Sequence, residues 1–156
     1  MARSFDSSLS EDGQRANNRT GRRERGPQAD SVLSELRVPP HSLEAEQSVL
    51  GGLLLDNAAF DKIADLIAEG DFYRDEHRRI YRQIRKLLER GKPADAVTVA
   101  ESLEQAGEGK ETGGLAYLGE LAANTPSAAN IVRYAEIVRE RAVLRQLVTV
   151  GGEIAG

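Results

Sequence analysis

A chain of 156 residues has the usual length of one domain. Hydrophobic residues make up 40% of it, charged residues 29% and aromatic residues only 4%, which favours packed aliphatic helices in a soluble protein. The absence of cysteine excludes disulfides and thiolate metal sites, and the longest apolar run, from Val49 to Leu55, is too short to cross a membrane. We therefore expect a cytoplasmic protein without a metal site.

The first 37 residues predict a flexible polar tail. They hold seven arginines and six acidic residues, a net charge of +1, and few large apolar side chains, so burial cannot offset the entropy of ordering them. The cluster Arg19, Arg22, Arg23 and Arg25 raises the alternative of a nucleic-acid-binding arm, which the interspersed acids disfavour. From His41 onward the net charge is −5, which argues against DNA as the main ligand of the folded part.

The first helix is predicted from Leu43 to about Leu55. Ser42 can cap it, and Glu44 and Glu46 suit the positive end of its dipole. Its apolar residues recur at helical spacing and are Val49, Leu50, Leu53 and Leu54. The Gly51–Gly52 pair in its middle favours close packing against another helix. A phosphate-binding loop is the alternative, and it is disfavoured because no lysine follows the pair.

Two further helices are predicted between Asn57 and Glu89. Asn57 can cap the first of them, and Gly70 suits its carboxyl end. Its inward side chains are predicted to be Phe60, Ile63, Leu66 and Ile67. The next helix runs from about Asp75 to Glu89 and is ended by glycine and proline. Its apolar face carries Ile80, Tyr81, Ile84, Leu87 and Leu88.

The opposite face of that helix is basic. It carries Arg74, Arg78, Arg79, Arg82, Arg85, Lys86 and Arg90. A solvated face is the simpler interpretation, because neighbouring acids can pair with these residues and arginine stems can cover apolar surface. The alternative is an autonomous helical nucleic-acid-binding protein, or a face for an acidic partner. The candidate residues on this face are Arg78, Arg82, Arg85 and Lys86.

Asp95 can begin a fourth helix, and the segment AGEGKETGG after it predicts a loop. The apolar residues of that helix are Val97, Val99, Ala100 and Leu103. The Gly109–Lys110 pair in the loop does not complete the nucleotide-binding pattern GxxxxGK[ST]. Glu104 stands where that pattern requires glycine, and Glu111 stands where it requires serine or threonine.

The last third of the chain predicts one short helix and one long helix. Thr112 can cap the short helix around Leu115–Leu121, and NTPSAAN marks a turn. The long helix begins near Ala128. Its apolar residues are Ile131, Tyr134, Ala135, Ile137, Val138, Leu144, Leu147, Val148 and Ile154. No stretch predicts a secure strand.

Nothing in the sequence supports a catalytic site. Asp61 and Asp65 share one face of a predicted helix, but solvated faces commonly carry such acid pairs. Ser42 and Ser48 lie near His41 in the sequence, yet no base can be assigned to either hydroxyl. We expect this chain by itself not to be an enzyme. A small hydrolase is the alternative, for which the sequence offers no candidate site.

Five motifs follow one another from about Leu36 to the end of the chain. They read VPPHSLEAEQSVLGGLLLDN, AESLEQ, GGLAYLGEL, NTPSAANI and IVRERAVLRQL. Together they resemble the amino-terminal domain of DnaB-type replicative DNA helicases. The resemblance implies an all-α fold, with a compact orthogonal bundle of about five short helices in residues 38–126. A long protruding helix, the first arm of a helical hairpin, is implied for residues 127–156.

The motor of that family carries the pattern GxxxxGK[ST] and uses ATP and magnesium, whereas this chain ends at Gly156 without the pattern. The resemblance therefore implies a module that holds no cofactor of its own. It implies a dimer building block of a hexameric collar that recruits primase. DNA would be bound and unwound by the full-length helicase.

Two sets of residues are the candidates for these contacts. Leu115 and Leu118 are the candidates for self-association, since flanking glycines permit close approach and so short a helix needs packing. Leu144, Val148 and Ile154 recur at helical spacing near the end of the long helix. They are the candidates for partner binding, with primase as the expected partner. The alternative is that this stripe packs against the preceding bundle.

Overall fold

The structure is a computed structural model in which residues 38–155 are described, with the side chains of residues 38–152. The predicted tail of residues 1–37, with its arginine cluster, lies outside the described residues, and so does the side chain of Ile154. Pro40 begins the compact unit. All secondary structure of the described residues is helical, which confirms the predicted all-α fold.

The α-helices are α1 (Leu43–Leu55), α2 (Phe60–Ile63), α3 (Asp75–Glu89), α4 (Ala96–Gln105), α5 (Gly109–Thr112), α6 (Gly114–Asn124) and α7 (Ile131–Ala155). Short 3-10 turns occupy Asn57–Ala59 and Glu69–Asp71. The predicted bounds of α1 and α3 are confirmed. Within residues 38–155, none of the helices has the length and apolar character to span a membrane.

The bundle is built around α1. Ser42 caps this helix as predicted, its hydroxyl oxygen accepting the N–H of Ala45 at 3.2 Å. Val49, Leu50 and Leu53 have no exposed surface, because α3, α6 and α7 all pack against the helix. A helix covered on several sides has to be apolar around most of its circumference, and the sequence of α1 meets that requirement.

Two glycines let α1 approach its neighbours closely. Gly51 faces Thr125 and the carbonyl oxygen of Leu121 at the end of α6, while Gly52 faces Ile131 at the start of α7. Both glycines are buried within the helix. The predicted role in close packing is therefore confirmed, and a phosphate-binding loop at this position is excluded.

The segment after α1 differs from the prediction. Asp56 rather than Asn57 caps the turn, with its carboxylate accepting the N–H of Ala58 at 3.1 Å. The Asn57 side chain instead donates to the carbonyl oxygens of Leu53 and Ala94 at 2.9 and 2.8 Å. It also accepts the N–H of Ala94 at 3.0 Å. Asn57 thus joins the end of α1 to the chain before α4.

Other local predictions are wrong as well. Leu66, which was predicted to face inward, is 37% exposed, because the chain leaves helical geometry after α2. The predicted loop after α4 contains α5. Thr112 does not cap α6, since its hydroxyl donates to the carbonyl oxygen of Glu108 at 2.8 Å. Gly113, with φ of +82°, takes the capping position.

The two halves of α7 have different surroundings. Its buried residues recur at helical spacing on the side that faces the bundle, and they are Ile131, Ala135, Val138 and Ala142. Beyond Ala142 the large apolar side chains are exposed: Leu144 by 44%, Leu147 by 62% and Val148 by 61%. The helix begins at Ile131, three residues after its predicted start.

Replacing Gly51 with alanine should lower the free energy of unfolding by roughly 1–3 kcal/mol, the usual cost of overpacking a core. The added methyl group would overlap Thr125 and the Leu121 carbonyl oxygen. Gly119 is the matched control, because it lies in α6 and a methyl group added there would have no atom within 4 Å. Alanine there should stabilise the helix by up to about 1 kcal/mol. Urea denaturation measures both values, and equal effects would show that the contact of α1 with α6 is not tight.

Candidate functional site

A chain of buried polar side chains connects α1, α3 and α6. Glu46 is 1% exposed and His77 has no exposed surface. His77 Nδ1 lies 2.8 Å from Glu46 Oε1, and His77 Nε2 lies 2.6 Å from the hydroxyl oxygen of Tyr117. The side-chain amide of Gln47 donates to the same hydroxyl oxygen at 3.2 Å. We call these residues the Glu46–His77–Tyr117 network.

The hydrogen bonds of the network fix the direction of each donor. A carboxylate only accepts, so a neutral His77 ring carries its proton on Nδ1 and donates it to Glu46. His77 Nε2 then accepts the phenol proton of Tyr117, whose oxygen accepts from Gln47. Burial raises the pKa of the Tyr117 phenol above its usual value, which keeps the donor proton in place. Every polar atom of the network is thereby paired, as its depth requires.

Glu46 also holds the start of α3. Its carboxylate accepts the backbone N–H of Tyr73 at 2.7 Å and that of Arg74 at 3.4 Å. The residue at the amino-terminal cap of α3, Arg74, makes no capping hydrogen bond to a backbone N–H of the helix, and its guanidinium pairs instead with Glu76. A carboxylate on α1 therefore binds the backbone immediately before α3 and lies where the dipole of α3 is positive.

The sequence analysis missed this network, treating Glu46 only as an acid at the start of a helix. A signal for it is present in the spacing. Glu46 precedes the buried residues Val49, Leu50 and Leu53 by three, four and seven positions, and His77 precedes Ile80, Tyr81 and Ile84 by the same intervals. A polar residue in phase with an apolar face is expected to be buried and to need a polar partner.

The Gly109–Lys110 pair does not form a phosphate-binding loop. Gly109 begins the four-residue helix α5, and the carboxylate of Glu104 lies against it. A negative charge at that point opposes the binding of a phosphate group. Within residues 38–155, no group of three or more histidine, aspartate and glutamate side chains is placed to hold a metal ion.

The basic face of α3 is paired with carboxylates of the domain itself. Arg82 lies 2.6 Å from Glu69 and Arg85 lies 3.6 Å from it. The hydrogen bond from Arg82, aided by the nearby charges of Arg85 and Lys86, lowers the pKa of Glu69. Arg78 donates to two backbone carbonyl oxygens, at 3.1 and 3.2 Å, at the chain reversal before α3.

These pairs favour a solvated, internally neutralised face. Nucleic-acid phosphates gain affinity by taking up lysine and arginine side chains that are free to displace counterions. Three of the four candidates, Arg78, Arg82 and Arg85, already contact acidic or carbonyl groups of this domain. The fourth, Lys86, is exposed and only adds its charge near Glu69. A phosphate would first have to displace those groups, so the structure gives no support to nucleic-acid binding on α3.

The two candidates for self-association differ in their surroundings. Leu118 has no exposed surface and belongs to the core, whereas Leu115 is 53% exposed. Ala116 and Gly119 beside Leu115 are also exposed. Of the two leucines, Leu115 is therefore the one that α6 presents to solvent, and small side chains flank it.

Arg145 fixes α7 to the bundle next to the candidate partner-binding residues. Its guanidinium donates to the carbonyl oxygens of Pro40 and Asp71 at 2.8 and 2.6 Å and lies 5.4 Å from the ring centre of Tyr73. Arg139 adds an ion pair with the Asp71 carboxylate at 2.9 Å. The exposed side chains of Leu144, Leu147 and Val148 thus lie on a helix whose orientation is set by its contacts with the bundle.

Replacing Tyr117 with phenylalanine should lower the free energy of unfolding by about 1–3 kcal/mol, because His77 Nε2 and the Gln47 amide lose their partner. Tyr134 is the matched control. Its hydroxyl makes no hydrogen bond to another residue in the described part of the chain, and its replacement by phenylalanine should change stability by less than about 0.5 kcal/mol. Chemical denaturation gives both values. Indistinguishable effects would contradict a structural role for the network.

The comparisons with known proteins agree with the resemblance in the sequence. Residues 38–140, more than half of the chain, match the family described as "DnaB-like helicase N terminal domain". The replicative DNA helicase DnaB of Pasteurella multocida is 51% identical over 118 residues, which are 76% of this chain and 25% of that protein. The DnaB of Haemophilus influenzae is 46% identical over 127 residues, covering 81% of this chain and 27% of that protein.

A solved structure gives the same result. The N-terminal domain of DnaB helicase from Mycobacterium tuberculosis superposes with a TM-score of 0.74 at 47% sequence identity, covering 76% of this chain and 82% of that domain. The chain spans about a quarter of the length of the curated relatives it matches. It belongs to the family of DnaB-like helicase N-terminal domains.

Proposed function

We propose that this chain is the assembly and partner-binding module of a replicative DNA helicase in DNA replication. In this proposal several copies form the amino-terminal collar of a hexamer, and the collar recruits primase. The relatives carry the name replicative DNA helicase and are about four times as long as the matched region. In this proposal a motor domain hydrolyses ATP with magnesium and unwinds duplex DNA. The proposed compartment is the cytoplasm.

The observation that carries the proposal is the exposed apolar face of α7. Leu144, Leu147 and Val148 are between 44% and 62% exposed, although a surface helix normally turns such side chains towards a core. Contiguous exposed apolar side chains commonly mark a site of protein contact. Because Arg145 holds the helix against the bundle, this face is presented in one orientation, which lowers the entropy that a partner has to remove on binding.

The collar part of the proposal is supported by α6. Leu115 is half exposed, and its exposed neighbours Ala116 and Gly119 have small side chains or none. Such a surface permits close approach of a second helix. Isologous packing of the same surface from two copies would give the dimer from which a hexamer can be built.

Replacing Leu144 and Val148 together with glutamate should weaken binding of the primase carboxyl-terminal domain by at least about tenfold. Burial of one such side chain contributes roughly 1.5–3 kcal/mol, and about 1.4 kcal/mol corresponds to a factor of ten in affinity. Fluorescence anisotropy of labelled primase domain measures the dissociation constant. Hydrogen exchange across Arg141–Ala155 should slow when primase is added.

The matched control for that experiment is Val97→Glu. Val97 is 63% exposed and lies on α4, away from the α7 face. This variant should bind primase as the parent chain does. If it loses affinity as strongly as the α7 double variant, or if the double variant binds normally, the assignment of the α7 face to primase is wrong.

Replacing Leu115 with aspartate should shift the chain towards monomer in sedimentation equilibrium. The charge would be buried in the proposed contact between copies, while the exposure of Leu115 in one copy leaves the core intact. Val97→Asp is the control, since it adds the same charge at a similarly exposed position. Unchanged association of a folded Leu115→Asp variant would reject α6 as the interface.

A further inference from the structure

A cleft of about 370 Å³ lies where α1, α6 and the start of α7 meet. Its lining mixes polar, aromatic and apolar residues, and the polar and aromatic ones include Glu44, Gln47, Tyr117, Glu120, Asn124 and Tyr134. None of these residues belongs to the exposed apolar face of α7 or to the basic face of α3. The cleft is therefore a surface separate from those already discussed.

The charge of the cleft favours a cation. Glu44 and Glu120 are exposed, and neither forms an ion pair with another described residue. No lysine or arginine lines the cleft. The positive end of the α1 dipole favours the charge of Glu44, whereas Glu120 has no cation beside it in the lining. Uncompensated negative charge attracts cationic groups and opposes phosphate groups, which disfavours nucleotides and nucleic acids here.

The aromatic groups strengthen the same preference. The rings of Tyr117 and Tyr134 both line the cleft, and the face of a tyrosine ring attracts ammonium and guanidinium groups. The Tyr117 hydroxyl stands at the end of the Glu46–His77–Tyr117 network.

The cleft is also formed before any ligand arrives. Tyr117 is held by His77 and by Gln47, which removes much of the ordering cost of binding. The volume is at the small end of the range for ligand sites and suits one extended side chain better than a nucleotide-sized cofactor. Its open position between three helices leaves room for the main chain that carries such a side chain.

We infer that this cleft binds the ammonium or guanidinium group of a lysine or arginine side chain of a partner protein. The carboxylates of Glu44 and Glu120 supply charge, and the two tyrosines supply aromatic rings. The choice of a protein as the source of the cation rests on the proposed role in partner binding. The chemistry of the cleft, an organic cation bound by carboxylates and tyrosines, stands on the geometry alone.

The four tyrosines of the chain provide an experiment with internal controls. The full chain, labelled with ¹³C in its tyrosine rings, is titrated with N-acetyl-arginine methylamide and with the corresponding lysine compound. The ring signals of Tyr117 and Tyr134 should shift along one saturable curve. The signals of Tyr73, which stacks on His41, and of Tyr81, which is 2% exposed, should stay in place.

Charge-neutral variants make the test specific. Glu44→Gln combined with Glu120→Gln should weaken binding of the arginine compound at least tenfold, while Glu101→Gln, an exposed carboxylate of α4 outside the cleft, should leave it unchanged. The Tyr81 signal reports whether each variant is folded. If the double variant loses that signal, the two single variants are compared instead, and each should weaken binding.

Several outcomes would overturn the inference. They are an absence of shifts, parallel unsaturated drift of all four tyrosine signals, equal binding of N-acetyl-glutamate methylamide, and full affinity in the folded double variant. A free polyamine, spermidine, is titrated as a further arm. If it binds tenfold more tightly than either amino-acid compound, a small cation rather than a protein side chain is the ligand. The titration contains no primase, so its outcome does not decide whether the α7 face binds primase.

Discussion

The buried carboxylate of Glu46 joins three helices of the bundle through its hydrogen bonds. It accepts two backbone amides at the start of α3 and, through His77, holds Tyr117 on α6. Removing a carboxylate from water costs several kcal/mol unless its oxygens are paired. The observed arrangement of α1, α3 and α6 pairs this group, and a packing of the same apolar surfaces that left it unpaired would be unfavourable.

On the opposite side of α1 lie two glycines, which have no side chain to keep neighbouring helices at a distance. Gly51 and Gly52 allow the end of α6 and the start of α7 to lie directly on the helix. The cleft over Tyr117 follows from both constraints, because it opens where these three helices meet. The direction in which α7 leaves the bundle is set by the close contact of its first residue, Ile131, with Gly52. The hydrogen bonds of Arg145 hold the helix at a second position.

How far the sequence predicts this structure depends on how far apart the interacting residues are. The bounds of α1 and α3 follow from local caps and helical spacing, and the motifs indicate the family and its all-α fold. The bonds of Asn57 cross 37 positions and the contact of Glu46 with His77 crosses 31, and no local pattern announces either pairing. The basic face of α3 forms ion pairs with Glu69 and Glu108, which belong to other segments of the chain. The sequence alone therefore left two interpretations of this face open, a solvated face and a binding face. Partner binding by Leu144, Val148 and Ile154 stays a prediction.

The anchoring of α7 by Arg145 uses main-chain atoms as both of its acceptors. The carbonyl oxygens of Pro40 and Asp71 do not titrate, and they are present whichever side chains occupy those two positions. A substitution of Pro40 or Asp71 therefore leaves the acceptor oxygens in place. The donor, Arg145, cannot be replaced in the same way. A guanidinium offers separate N–H groups in a rigid plane, while a lysine ammonium is a single point charge. The two hydrogen bonds of Arg145 therefore require an arginine at that position, but they do not depend on which side chains Pro40 and Asp71 carry.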